Sequence, residues 1–251
     1  LIGDDGARSF RRTEGFDTSG IEFVGAYGEP NLEAIAALEP DLIIGDEYSV
    51  GDDYDQLSRI APTVVVQVFG RPLTEALRDF AEVVGREERA AELEAEYRAR
   101  VERLRAALGE DRVRTTVSLI AAGDPGVFYQ SDSGGQAQYT VMRDLGLPRP
   151  APQREGATED VAEFSLERLP RHDGDVLIIT DYGGEEPDPG VTAIRRSPLY
   201  RNLGATRAGQ SHVIDGTRSV GSAWARMGVF LGELERILLA EGLDRDVVRE
   251  G

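Results

Sequence analysis

The sequence predicts an α/β fold of two related α/β lobes joined by one long α-helix. Three observations carry that reading. Short runs rich in Val and Ile, bounded by Gly, Pro or Asp, alternate with helical periods along most of the chain, as buried parallel strands and their covering helices do. The stretch Arg86–Leu108 contains neither Gly nor Pro and carries a single apolar stripe. A cap–helix–turn–strand motif also occurs twice, once on each side of that stretch. At 251 residues the chain exceeds the roughly 100–200 of an average domain, so one large or two modest domains are expected.

The first lobe, residues 1–85, should hold helices Leu32–Glu39, Tyr54–Ile60 and Leu73–Val84 around strands Asp41–Gly45 and Thr63–Gln67. The linking helix, 86–108, places Leu93, Tyr97, Val101, Leu104 and Leu108 at spacings of four, four, three and four, which is one face of a helix. Glu94–Arg98 and Glu96–Arg100 add i,i+4 charge pairs on other faces. At ~1.5 Å per residue it would run roughly 34 Å. A surface helix of one domain fits that periodicity equally well, and the repeat tips the balance towards a strut. The second lobe, residues 109–251, should hold strands Thr115–Ala121, Asp175–Thr180 and His212–Ile214. Its helices fall at Gln136–Leu145, Leu166–Pro170, Tyr200–Leu203 and Ala223–Ala240.

The repeat is specific in its spacing. Asn31-Leu32-Glu33-Ala34-Ile35 is followed eight residues after Glu33 by Asp41-Leu42-Ile43-Ile44. Ser165-Leu166-Glu167-Arg168-Leu169 is followed eight residues after Glu167 by Asp175-Val176-Leu177-Ile178. Asn31 and Ser165 are both good N-caps. Tyr54-Asp55-Gln56-Leu57 and Tyr200-Arg201-Asn202-Leu203 then precede a further strand on each side, in the same order.

Composition narrows the function. With 46 acidic against 28 basic residues, a net charge of −18, binding to nucleic acid or an anionic membrane surface is disfavoured. Zero cysteines exclude disulfides, thiolate metal sites and a cysteine nucleophile, and leave the redox compartment open. No apolar run reaches the length of a membrane span. The chain opens on Leu1-Ile2-Gly3-Asp4-Asp5 without a methionine and reads as lacking its first residues.

From Val24 through Tyr27-Gly28-Glu29-Pro30-Asn31-Leu32-Glu33 to Asp41-Leu42-Ile43-Ile44-Gly45 the sequence resembles the substrate-binding proteins of iron-siderophore, haem and cobalamin ABC importers. Gln56-Leu57, Ile60-Ala61-Pro62-Thr63-Val64-Val65-Val66, Asp144-Leu145-Gly146-Leu147, the Ser165–Leu169 motif and the closing helix after Trp224 fit the same family. The resemblance implies a ligand cleft between the lobes and a receptor in place of an enzyme. It further implies delivery to an ABC permease and an extracytoplasmic location, on the cell surface or in the periplasm. A lipidated N-terminal cysteine, absent from this chain, would supply the anchor. Such proteins usually begin with a strand and helix ahead of position 1.

The resemblance also assigns roles. One glutamate per lobe docks into arginine pockets of the permease, and those positions fall on Glu33 and Glu167; helix-dipole complementation alone would otherwise account for each. For the ligand, loops at the carboxyl ends of strands are expected to line the site. Tyr48 and Tyr182 follow strands Asp41–Gly45 and Asp175–Thr180, and Tyr27 precedes the Pro30-Asn31-Leu32-Glu33 motif, where the resemblance implies a ligand-contacting aromatic or basic residue; tyrosine pairs an apolar ring with a hydroxyl for chelating oxygens. Arg71 and Arg218 follow strands Thr63–Gln67 and His212–Ile214, and arginine donates several hydrogen bonds without losing its charge. Trp224, the sole tryptophan, flanks Arg218 in sequence. Tyr129 and Tyr139 are weaker second-lobe candidates.

Ser131-Asp132-Ser133-Gly134-Gly135 resembles a serine-hydrolase nucleophile segment. Only His172 and His212 are present, neither in a recognisable context for the base such chemistry needs. An α/β hydrolase acting on siderophore esters is therefore the weakest reading. The two histidines lack metal-ligand spacing, and Glu185-Glu186-Pro187-Asp188 reads as a solvated loop more than a calcium site. Iron, if bound, arrives already chelated, and no other cofactor is expected. A tris-catecholate carries three negative charges and would need a dense basic cleft, for which only Arg71 and Arg218 stand out. A ferric hydroxamate or mixed chelate therefore fits best, with cobalamin or haem as alternatives, haem through an axial Tyr or His. A receptor that shows both lobes to a permease is most simply a monomer.

Overall fold

The computed structural model of the chain describes residues 17–26, 28–123, 126–130, 136–154, 161–183 and 186–240. It divides into two compact units, Leu1–Ala91 and Glu92–Gly251, and the division falls inside the long helix.

In the first unit a two-residue hairpin, β1 (Gly25–Ala26) with β2 (Glu29–Pro30), leads into α1 (Leu32–Ala37). The Asn31 side chain caps α1 by accepting the Ala34 N–H at 3.0 Å, satisfying a donor the first turn leaves free. The helix stops at Leu38 because Glu39 takes a left-handed conformation, φ 46°, and Pro40 cannot continue it. Strands β3 (Ile43–Asp46) and β4 (Thr63–Val66) pair in parallel, Ile43 opposite Thr63 and Asp46 opposite Val66. Between them run α2 (Glu47–Val50) and α3 (Tyr54–Ile60), and α4 (Leu73–Val83) follows β4. Ile35, Val50 and Leu57 form one buried cluster, with Val24, Leu32, Ile43 and Ile60 packed against it, and Val66, Leu73, Ala76 and Ala81 are buried as well.

Helix α5 (Glu87–Leu108) is continuous. Tyr97, Val101, Leu104 and Leu108 are buried as the periodicity predicts, but Leu93 is only half-buried and Glu94 lies in the stripe in its place. Arg98 meets the Glu94 carboxylate there at 2.6 Å. The expected Glu96–Arg100 pairing gives way to a tertiary one. Arg100 donates to the Gly228 carbonyl at 3.1 Å and to Glu235 at 3.0 Å, a second partner that an i,i+4 pair lacks.

The second unit holds a five-stranded sheet in the order β7-β6-β5-β8-β9. Its strands are β5 (Val117–Gly123), β6 (Gly126–Gln130), β7 (Val161–Phe164), β8 (Val176–Asp181) and β9 (Ser211–Asp215). β5, β8 and β9 run parallel, while β5-β6-β7 is an antiparallel meander. Helices α6 (Ala137–Leu145), α7 (Ala151–Arg154), α8 (Pro189–Arg196), α9 (Pro198–Arg201), α10 (Gly204–Arg207), α11 (Gly216–Ser219) and α12 (Trp224–Leu238) complete it. Ile120, Ala122, Leu177 and Ile179 share a core with Val191, Ile194, Leu203 and Ala205 from α8 to α10, and α6 packs on α12. The helix expected at Leu166–Pro170 is present as a 3₁₀ helix, Leu166–His172, with Pro170 inside it.

His172 closes that 3₁₀ helix, 4% exposed and stacked on Phe164 with ring centroids 3.7 Å apart. Burial, reinforced by Arg168, Arg149 and Arg171, lowers its pKa from 6.5 to about 4. The unfolded chain therefore binds a proton that the native state refuses, and stability present above 6.5 is lost as pH falls towards 4. The full gap amounts to roughly 3 kcal/mol. His172→Phe keeps an aromatic stack and removes the titration. Its Tm relative to the unmodified protein should rise steadily as the buffer is taken from about pH 7 to about pH 4.5; a pH-independent difference would contradict this account.

Candidate functional site

Three parallel strands end in aspartate, and each carboxylate turns forward to hold the loop that follows. Asp46 at the end of β3 accepts the Tyr48 and Ser49 N–H groups at 2.9 and 2.7 Å. Asp181 at the end of β8 accepts from Gly183 and Asp188 at 2.8 and 3.0 Å. Asp215 at the end of β9 accepts the Thr217 and Arg218 N–H groups at 2.8 and 3.3 Å and the Thr217 hydroxyl at 2.6 Å. Charge-assisted bonds of this kind fix backbone better than neutral ones. They pin the turns that carry Tyr48, Tyr182 and Arg218, at the strand ends where open sheets bind ligands.

In the first unit Tyr48 is 51% exposed and meets Phe69 edge-on, centroids 4.8 Å apart at 86°. Phe69 stands in the loop after β4. That loop is held by Glu47, whose carboxylate accepts from the Gln67 side chain at 2.6 Å and from the Val68 and Phe69 N–H groups at 2.9 and 2.8 Å. Arg71 leaves the same loop but turns to α4, 2.7 Å from Asp79 and 3.9 Å from Glu75. Tyr27 lies outside the described residues.

In the second unit Tyr182 is half-buried over the start of α11. A Cβ on Gly216 would come within 2.8 Å of two Tyr182 ring carbons and 2.5 Å of the Thr180 methyl, so the ring lies on bare backbone. Behind it the buried Gln138 amide reaches Ser219 at 3.2 Å and Thr180 at 3.4 Å. Arg226, also buried, donates to the Thr217 carbonyl at 2.8 Å. Arg218 is exposed on α11. The structure thus brings Tyr182 and the Arg218 turn together. Trp224 is half-buried and sits 6.0 Å from Tyr97 of α5, whose hydroxyl donates to Asp144 at 2.9 Å. Burial, then the Asp144 charge, hold the Tyr97 phenol well above its usual range. Tyr139 is buried under the Arg149 guanidinium at 4.5 Å. The Tyr129 side chain and Ser131, Ser133 and Glu185 lie outside the described residues.

Glu33 and Glu167 are both exposed in the first turn of their helices. The Glu167 carboxyl is held below its ordinary range by its own backbone N–H and then by the Ser165 side chain. Sequence reasoning passed over Phe69, Glu47 and Gly216. The strand-end aspartates, in Asp46-Glu47-Tyr48-Ser49 and Asp215-Gly216-Thr217, were a readable signal, an N-cap placed directly on a strand terminus. Among the described residues no three His, Cys, Asp or Glu side chains are arranged to hold a metal ion, and no helix is long and apolar enough to cross a membrane.

Residues 9–217 match the model of a family described as periplasmic binding protein. The chain is 32% identical over 209 residues to the probable siderophore-binding lipoprotein YfiY of Bacillus subtilis, covering 79% of this chain and 63% of that protein. It is 31% identical over 195 residues to the Fe(3+)-citrate-binding protein YfmC of the same organism, covering 76% and 59%. It thus spans about three fifths of the length of these relatives. Among solved structures it resembles the siderophore periplasmic binding protein of the fuscachelin gene cluster of Thermobifida fusca, at 27% identity and a TM-score of 0.72 over 88% of this chain and 82% of that one.

The Tyr182–Gly216 contact makes its own prediction. Gly216→Ala should displace the Tyr182 ring and destabilise the protein by about 1–3 kcal/mol, the usual cost of overpacking. A crystal structure of the variant with the ring in place and an unchanged Tm would show the packing to be looser than described.

Proposed function

The chain belongs to the periplasmic binding protein family, and from that premise we propose that it is the solute receptor of an ABC importer. It binds a ferric siderophore outside the cytoplasm and delivers it to the permease, performing no chemistry on it. The carrying observation is the set of aspartate-pinned strand-end loops, which present Tyr48, Tyr182 and Arg218 on fixed backbone. Preorganised aromatic and hydrogen-bonding groups suit a preformed rigid chelate, because little ordering remains to be done on binding. The names of two relatives point to ferric complexes as the cargo class and, in one case, to a lipoprotein. Iron is bound through its chelator.

Charge selects among chelates. Arg71 is engaged by Asp79 and Glu75, and Asp46 and Glu47 flank Tyr48, so among the described residues of the first unit the loops around Tyr48 and Phe69 carry little positive potential. That supports a neutral or cationic ferric tris-hydroxamate, or a mixed chelate, over a trianionic tris-catecholate. Glu33 and Glu167 are the permease-docking pair, each worth far more in a water-excluding arginine pocket than on an open surface. The receptor acts as a monomer.

Calorimetric titration, with Trp224 fluorescence in parallel, tests the ligand. Against a ferric tris-hydroxamate, a ferric tris-catecholate, ferric citrate, haem and cobalamin, one-to-one sub-micromolar binding is expected for the hydroxamate. The catecholate should bind at least about ten-fold more weakly. Tighter catecholate or citrate binding would overturn the chelate class; saturation by haem or cobalamin alone would move the cargo; no binding at all would remove the receptor. Docking is tested apart from binding. Glu33→Ala combined with Glu167→Ala should abolish uptake in cells while leaving the ligand Kd unchanged, and normal uptake would dismiss the pair.

A further inference from the structure

We propose that Glu47 is a positioning residue of the ligand site, acting through Phe69, and that Phe69 with Tyr48 forms one aromatic surface offered to the apolar arms of the chelate. The inference rests on the receptor reading above and adds two residues to it.

Glu47 stands in the first turn of α2, where helix-dipole complementation would ask only that it be charged and near the N-terminus. Its side chain does something else. It crosses to a loop some twenty residues on, and both oxygens are used. Oε1 accepts from Gln67 Nε2 at 2.6 Å and from the Phe69 N–H at 2.8 Å, and Oε2 accepts from the Val68 N–H at 2.9 Å. Two consecutive backbone amides aimed at one carboxylate leave the Phe69 backbone little freedom. Phe69 then meets Tyr48 edge-on at 4.8 Å, and Tyr48 is itself fixed by the Asp46 cap one residue before Glu47.

The pair is not a piece of core. The buried apolar residues of the first unit include Ile35, Val50, Leu57, Val66, Leu73 and Ala76, whereas Tyr48 is 51% exposed and Phe69 half-buried. Apolar burial therefore contributes little to holding the rings, and hydrogen bonds to carboxylates hold the loops beneath them instead. A half-exposed aromatic surface on a charge-clamped frame is preorganised for contact. Its frame adds negative charge beside the rings, which favours a neutral or cationic chelate over an anionic one.

The test compares the unmodified protein, Glu47→Gln, Phe69→Ala and the double variant, titrated with ferrioxamine B as a ferric tris-hydroxamate probe. A glutamine at 47 presents an NH₂ to one of the three donors, so one bond is lost and replaced by a donor–donor contact. Glu47→Gln should raise Kd about ten-fold, and exchange of the Val68 and Phe69 amide hydrogens should quicken in the ligand-free protein. Phe69→Ala should raise Kd by at least as much, and in its background Glu47→Gln should add nothing, because the residue it positions is gone. A general structural defect would instead add in both backgrounds. Unchanged binding in Glu47→Gln or Phe69→Ala, or additive losses in the double variant, would overturn the inference while leaving the receptor reading intact. An unmodified protein that binds none of the ferric chelates would overturn both.

Discussion

The arrangement depends on how parallel strands end. Where a strand turns into a helix, several backbone N–H groups lose their ladder partners before helical ones are available, and a buried or ligand-facing amide cannot stay unpaired cheaply. The chain answers with aspartate as the last strand residue, at Asp46, Asp181 and Asp215. In the second unit Asp181 and Asp215 stand opposite each other in register on neighbouring strands, a placement that sets like charges side by side. It is tolerable because each carboxylate is surrounded by amide donors, whose dipoles offset the repulsion. The same bonds that solve the backbone problem fix the residues proposed to meet the ligand.

The second unit shows how such loops gain rigidity from behind. Gln138 links β8 to α11 through Thr180 and Ser219, and Ser219 donates onward to the Asp215 carbonyl at 2.6 Å. Arg226 of α12 holds the Thr217 carbonyl. These are polar contacts among residues that are buried or nearly so, where an unmade bond costs more than a made one contributes. A change at Gln138 would therefore reach the α11 turn without touching any ligand.

Much of this was legible before any coordinates. The Asn31 cap, strands β3, β4, β8 and β9, and helices α3, α5 and α12 follow from capping chemistry and from periods of two and 3.6. The β6–β7 meander was not legible, because neither Gly126–Gln130 nor Val161–Phe164 is the continuous Val- and Ile-rich run that marks β3, β4 and β8, and β7 owes its strand state to pairing with β6, some thirty residues earlier. Helix α8 could have been read from Asp188-Pro189, a cap followed by proline at the first helical position. Of the residues proposed to meet the ligand, Tyr48, Tyr182 and Arg218 followed from the rule that strand ends face ligands. Phe69 did not, since its placement comes from a carboxylate at Glu47 that no local pattern joins to it.

Arg71 shows why residue type alone misleads about charge. By position after β4 it was a natural ligand cation, yet Asp79 lies 2.7 Å and Glu75 3.9 Å away, so its field is largely cancelled close to its source. In a protein of net charge −18 this outcome has a statistical basis, because carboxylates outnumber arginines and an arginine beside a helix finds one readily. A cation able to act on a ligand must then stand where no helix face supplies a carboxylate. Arg218, exposed on α11, also has an acid close by, since its backbone N–H lies 3.3 Å from the Asp215 carboxylate that caps the turn. The local positive potential at a strand end therefore depends on what flanks each arginine, and residue type alone does not set it.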